Sequence, residues 1–292
     1  MKFATLIVSG RAFVAIVDPQ TDRYWPVADL IGRPVDTMVD LIEAYPDISA
    51  LLVPTGDGGS LADVTVAAPI RPVRNIMCVG KNYHAHAQEF TRSGFDSSAK
   101  DQSEAVPSAP IIFTKAPETV IANGDTIRYP TGLSDSIDYE GELGIVIGTG
   151  GRGIAKANAL DHVFGYTILN DMTARDLQSK HKQWFIGKSL DTFCPMGPWI
   201  AAAGEVDVGN LELKTWVNGE LRQDTNTSDM IFDVPTLIAT LSAGLTLRPG
   251  DVIATGTPAG VGIGFDPPKY LSRGDTIEIE ITGLGRLSNM LA

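Results

Sequence analysis

Asp138, Glu140 and Glu142 stand at alternate positions in SDSIDYEGELGIVIG (134–148), directly ahead of the apolar run Leu143, Ile145, Val146, Ile147. On a strand, alternate residues project from one face about 6.5–7 Å apart along the chain, so Glu140 and Glu142 can converge on a shared partner. Like charges on one face repel when nothing lies between them. Two readings follow. One is a solvated acidic edge, ordinary in a chain of net charge -12; the other is a site for a hard divalent cation such as Mg²⁺, which takes carboxylate oxygens and turns the repulsion into coordination.

A third carboxylate comes in TILNDMTARDLQ (167–178), where an apolar strand end meets Asp171 and a helix-compatible run. A helix starting near Asp171 places Asp171, Arg175 and Gln178 on one face, with an N-cap at Asp171 and an intrahelical ion pair to Arg175 as the plain structural alternative. Lys188, among apolar residues in WFIGKSLDTFCPMGPW (184–199), either snorkels or faces a polar cavity. In CVGKNYHAHAQEF (78–90), His86 and Glu89 are three apart on a helical turn and can share a proton, or merely decorate a surface.

Two glycine clusters compete for a phosphate-binding reading. GTGGRG (148–153) follows an apparent strand and matches GxGxxG, with Asp171 about 20 residues on. The chain does not otherwise alternate strand and helix as a doubly wound sheet does, so the segment reads as a turn without nicotinamide nucleotide binding. GTPAGVGIG (256–264) lacks the Gly-Lys-Ser/Thr ending of a phosphate loop and suits a pocket wall or a wide turn.

The elements that must position these groups are mostly strands. FATLIV and AFVAIVD flank Ser9-Gly10 as a hairpin; Asp36 or Thr37 caps a helix with Met38, Leu41, Ile42 and Tyr45 on one face and Pro46 as its stop. PTGDGGS (54–60) reads as a loop, and a small N-terminal α/β domain is expected over 1–70, ending in extended VTVAAPIRP. Beyond it, PIIFTK, GDTIRYP, ELGIVIG, ELKTWVNGELRQ, GDVIATG and GDTIEIEITGLG read as strands, with Asn218-Gly219 as a hairpin turn. DVPTLIATLSAG reads as a helix capped by Asp233. Gly-Asp-(Thr/Val)-Ile recurs at 124–127, 250–253 and 274–277, read as one kind of turn used three times.

Composition narrows the partners. With 292 residues, 43% of them hydrophobic, the chain can bury a large core. Its 23 basic residues against 35 acidic ones leave no electrostatic footprint for nucleic acid or anionic membrane. Cys78 and Cys194 lie far apart without CxxC spacing, which argues against a disulfide framework or a zinc site. No signal peptide and no apolar stretch of about 18 residues is present, so a cytoplasmic protein is expected.

Six segments, VGKNYHAHAQE, DYEGELGIVIG, GYTILNDMTARDLQ, GKSLDTFCPMGP, VNGELRQ and GDVIATGTPAGVG, occur in an order that resembles the fumarylacetoacetate hydrolase superfamily over about residues 70–292. The first 70 residues are similar to the variable N-terminal domain of many bacterial members. The resemblance implies an α+β, β-rich fold: a mixed β-roll catalytic domain over 71–292, with a lid segment about 84–108, in a homodimer. It implies Mg²⁺ or Mn²⁺ held by Glu140, Glu142 and Asp171, a catalytic His86/Glu89 dyad with Lys188, and substrate-binding Arg175, Gln178 and Thr257. His84, two residues before the dyad, departs from the pattern and leaves open which imidazole titrates; spacing to Glu89 favours His86.

The chemistry so implied is carbon–carbon cleavage of a small anionic 2,4-dioxo acid, of acylpyruvate or fumarylpyruvate type, through a metal-stabilised pyruvate enolate. His86 with Glu89 would activate water, while Lys188 and Gln178 steady the oxyanion. Oxaloacetate decarboxylation needs only the enolate-forming half. Isomerisation or decarboxylation of an aromatic ring-cleavage dienoate, and a metal-dependent binding or regulatory protein, are the further alternatives.

Overall fold

The computed structural model describes residues 1–94 and 101–292, so part of the expected lid segment, 95–100, lies outside the described residues. The fold is α+β and rich in strands. Its main sheet runs in the order Gly59–Ser60, Arg23–Pro26, Arg11–Asp18, Lys2–Val8, Cys194–Ala202, Val163–Asn170, Gly141–Ile147, Val252–Ala254, Ile76–Gly80, Ile111–Lys115. A five-stranded sheet, Glu220–Asn226, Glu212–Val217, Thr276–Ile281, Gly285–Leu291, Thr126–Ile127, lies against it.

Gly141–Ile147 sits inside the main sheet, between Val163–Asn170 and Val252–Ala254, and every residue of it is buried. Leu143, Ile145 and Ile147 pack with Leu213, Ile277, Ile279 and Leu287 of the second sheet. Val146 points the other way, into a core with Phe3, Ile16, Leu41, Ile42, Phe164 and Met196. Burial on both faces explains why the segment is almost continuously apolar after its acidic start.

Turn chemistry sets the edges of these strands. Ser9 and Gly10 have φ of 49° and 79°, and Asn218 and Gly219 of 51° and 79°, so both two-residue hairpins have the positive φ pair that matches strand twist. The three Gly-Asp turns use one device: Asp125, Asp251 and Asp275 each accept, on Oδ2, the N–H of the residue three before (2.8, 2.8 and 2.7 Å), beside a glycine at φ 83°, 81° and 90°.

Thr37 caps Met38–Ile48 in a reciprocal box with Asp40. Pro46 does not end this helix, which runs on to Ile48. A proline near the C-terminus costs one N–H donor, and Ile48, 3% exposed, anchors the final turn in the core. Asp233 caps Val234–Gly244 through Thr236 N. Among the described residues, no helix is long and apolar enough to cross a membrane.

Candidate active site

Strand register brings the three carboxylates together. Gly141 pairs with Asn170, so Glu140 and Asp171 become neighbours just past the paired ends: Asp171 N donates to Glu140 O at 2.9 Å, and Glu140 N donates to Asn170 Oδ1 at 3.1 Å. Glu140, Glu142 and Asp171 are at most 5% exposed, and one oxygen from each lies within 4.8 Å of the others. This is a donor set of hard oxygens crowded out of water, the composition that suits a divalent cation.

Their surroundings pull the two glutamates apart electrostatically. Burial would raise Glu140, but Lys188 and Arg175 outweigh it and hold its carboxyl down at about 2. Glu142 is pushed well above the usual range by burial and then by Asp171 and Glu140, against which Lys188 and the Gly256 N–H (2.8 Å) are weak compensation. A cation among the three would supply the missing positive charge. The residues present therefore fit a divalent ion.

Buried bases frame the cluster. Lys188 Nζ donates to Glu140 Oε2 and to Asp171 Oδ2, both at 2.8 Å. Burial opposes its charge, but Asp171 and Glu140 raise its pKa overall. Arg175 Nε donates to Asp138 Oδ2 at 2.8 Å, Nη1 to Gln178 Oε1 at 3.2 Å, and Nη2 lies 2.7 Å from Glu140 Oε1. The helix expected to begin near Asp171 begins at Arg175 instead, running Arg175–His181. Thr173–Ala174 first pairs with Ile137–Asp138, and Arg175 N donates to Ser136 O at 2.9 Å. That ladder keeps the chain extended, so Arg175 meets Asp138 and Glu140 and not Asp171.

Lys115 is not legible in the sequence as a site residue, and Asp138 is legible there as one of the alternating acids but not as a partner of Arg175. Lys115, 0% exposed, donates to Asp171 Oδ1 (2.6 Å), Met172 O (3.1 Å) and Lys188 O, using all three of its protons. Its one sequence signal is a lysine ending the apolar strand PIIFTK, in phase with Ile111 and Phe113. Asp138, the first of the three alternating acids, stands outside the oxygen cluster. It accepts from Arg175, from Tyr139 N (2.9 Å), Gly262 N (2.6 Å) and Ile263 N (3.0 Å), and so fixes the guanidinium.

The second glycine cluster is a wall built of backbone N–H groups. Gly256 N reaches Glu142, Gly260 N reaches Glu89 Oε1 and Oε2 (3.0 and 3.3 Å), and Gly262 and Ile263 reach Asp138. Gly260, at φ 100°, has no room for a Cβ against the Arg222 carbonyl. By contrast, 148–153 makes bends and bridges to Leu247, and a 3₁₀ turn, Lys156–His162, follows it.

His86 Nδ1 and Glu89 Oε2 are 3.1 Å apart on the helix His84–Arg92. His86 faces a cavity of about 20 Å³ shared with Glu140, Arg175, Gln178, Lys188 and Thr257; His84 is exposed and lines a different hollow with Tyr83 and Asp229. The Thr257 hydroxyl donates to Gly141 O (3.0 Å) and accepts from Gln223 Nε2 (2.8 Å). The cavity has room for a water molecule or two.

This β-rich fold with a buried three-carboxylate cluster belongs to the fumarylacetoacetate hydrolase family: residues 75–292 match the family model for the Fumarylacetoacetate (FAA) hydrolase C-terminal region. Members of that family are enzymes. The chain is 53% identical over 234 residues to oxaloacetate tautomerase YisK of Bacillus subtilis (strain 168), covering 80% of this chain and 74% of that protein. The fold matches a fumarylacetoacetate hydrolase from psychrophilic Exiguobacterium antarcticum (TM-score 0.84, 41% identity, 100% and 99% of the two chains). It also matches a 2-hydroxyhepta-2,4-diene-1,7-dioate isomerase from Mycobacterium marinum (TM-score 0.77, 34% identity, 100% and 98%).

Proposed function

We propose that the protein is a Mg²⁺- or Mn²⁺-dependent enzyme that moves a proton at the carbon beside the 2-oxo group of a small 2-oxo acid, interconverting keto and enol forms of an oxaloacetate-like substrate. The observation that carries this reading is the shared cavity: His86, 3.1 Å from Glu89, faces the same space as Glu140, Arg175 and Lys188. Glu140, Glu142 and Asp171 would hold the cation, which when bound supplies Lewis acidity to the 2-oxo acid end of the substrate.

The chain's own groups do the rest. In the keto-to-enol direction His86, oriented by Glu89, takes the proton from C3 while the C2 oxygen gains one; in the reverse direction the enol oxygen loses its proton as His86 gives one to C3, so each direction balances with no water consumed. Glu89 is itself pinned by Gly260 N, which keeps the imidazole aimed at the cavity. Lys188 and Arg175, bonded to Glu140 and its neighbours, offset the negative charge that an anionic substrate would otherwise meet. Gln178 orients Arg175, and Thr257 ties the wall at Gly256–Gly264 to Gly141 O. The cavity of about 20 Å³ is smaller than an oxaloacetate-like acid, so the His84–Arg92 helix would have to shift to admit it. Phe90 of the His84–Arg92 helix, packed on Val261, Ile263 and Trp184, is the contact that would part.

Carbon–carbon hydrolysis of a 2,4-dioxo acid is the second reading, favoured by the E. antarcticum relative's name and by the same base, which could activate water instead. Two assays separate the readings. With Mg²⁺ present, the decay of enol oxaloacetate followed by ultraviolet absorbance should accelerate over the buffer rate, with little pyruvate released from acylpyruvates. Rapid pyruvate release from an acylpyruvate, with no effect on the enol, would put hydrolysis first.

A further inference from the structure

Tyr139 stands between Asp138 and Glu140, fully buried in the core that holds Ile137, Leu143 and Ile279. Its hydroxyl donates to Gly260 O at 2.7 Å. From the other side of its Cα, Gly260 donates its N–H to Glu89 Oε1 and Oε2 (3.0 and 3.3 Å), and Glu89 Oε2 lies 3.1 Å from His86 Nδ1. The segment that carries the buried carboxylates is thus linked through one glycine to the helix that carries the dyad.

A glycine in such a link needs support from outside itself. Gly260 has φ 100° and no Cβ, so its own dihedral preferences do little to aim its N–H. Its flanks are anchored: Gln223 Nε2 donates to Thr257 Oγ1 (2.8 Å) and Pro258 O (2.9 Å), and Gly262 N and Ile263 N donate to Asp138. Tyr139 bonds the residue between those flanks. Glu89 also packs so closely on Gly264 that a Cβ there would have no room. When the Glu89 carboxylate accepts from Nδ1–H of His86, the Nε2 lone pair is left as the base. A Glu89 that swings away leaves the imidazole free to carry its proton on Nε2, where that nitrogen accepts nothing.

We propose that Tyr139 is a positioning residue for proton transfer: its hydroxyl, acting through Gly260, sets Glu89 and with it the tautomer of His86. The proposal rests on the reading of His86 as the base and adds the group that holds it ready. The test uses the Mg²⁺-loaded full chain as wild type, Tyr139→Phe, Glu89→Ala and the double variant; phenylalanine keeps the ring and removes only the donor. Nitrogen NMR with labelled histidine, at a pH well above the ordinary imidazole range, reads the tautomer of each of the four histidines. Tyr139→Phe should move the His86 signals toward those of Glu89→Ala and leave His84, His162 and His181 in place. Deuterium exchange at C3 of oxaloacetate should fall about 3- to 10-fold in kcat with KM within about twofold, and Tyr139→Phe should change the residual rate of Glu89→Ala by less than about twofold. Unmoved His86 signals, or a loss as large in the Glu89→Ala background as in wild type, would overturn it. Should Tyr139→Phe fail to fold, 3-fluorotyrosine at position 139, which keeps the shape and sharpens the donor, should move the His86 signals the opposite way, and no movement would equally overturn it. A wild type without exchange at C3 would refute the reading of His86 as base, and the nitrogen spectra would still decide whether Tyr139 sets the imidazole.

Discussion

Lys115 has no water to fall back on: its three donors go to Asp171, Met172 O and Lys188 O, and it is 0% exposed. It therefore fixes both one carboxylate of the cluster and the backbone that carries Lys188. Lys115→Met should leave Asp171 buried and short of one partner, costing about 3–5 kcal/mol of stability, read as a lowered Tm or denaturant midpoint. Added Mn²⁺ should restore part of that loss, since a cation answers the same uncompensated charge; a variant as stable as wild type would show that Lys115 is not a support of the cluster. His86 calls for a kinetic comparison instead. His86→Ala and Glu89→Ala should lower proton exchange at C3 by about 10²–10⁴-fold with Mn²⁺ affinity unchanged, because general-base catalysis contributes about that much. Variants that weaken Mn²⁺ binding and activity together would move the dyad from chemistry to metal positioning.

At the scale of elements, the legible features were the local ones. The hairpins at Ser9-Gly10 and Asn218-Gly219, the Thr37 cap and the three Gly-Asp turns are set by residues within four positions of each other, and all form as the sequence predicts. What escaped was decided by distant partners. The start of the helix at Arg175 depends on a ladder to Ile137–Asp138, and Lys115 meets Asp171 across 56 residues of chain. The glycines of 256–264 were legible as a wall but not as donors, since nothing local reveals that Gly260 N faces Glu89 or Gly262 N faces Asp138. Gly260→Ala should therefore be severe: positive φ, a clash with the Arg222 carbonyl and a misplaced Glu89 should cut both Tm and turnover. Gly153→Ala, at φ 68° with nothing within 4 Å, should cost only the backbone term of about 1–2 kcal/mol and leave turnover intact. Circular dichroism melts with steady-state rates on the two variants check the contrast, which fails if Gly260→Ala behaves like Gly153→Ala.

Across the whole molecule, an acidic chain of net charge -12 encloses a cluster in which Lys115, Arg175 and Lys188 pair with Asp138, Glu140 and Asp171, so a divalent ion there would make the site attractive to anions. The two sheets supply the rigidity: the strand bearing Glu140 and Glu142 at its start is gripped on both faces, and its neighbour in the main sheet delivers Asp171. The acidic prelude to an apolar strand thus marks where a doubly buried strand emerges into a site. Whether the three carboxylates hold a cation is the claim on which the rest depends. Calorimetric titration of Mn²⁺ into wild type, Glu140→Ala and Glu142→Ala tests it directly. One site per chain in wild type, weakened at least about 100-fold in each variant, is the expected result. Affinity unchanged in both variants would mean that the ion pairs with Lys188, Lys115 and Arg175 are the whole purpose of the cluster.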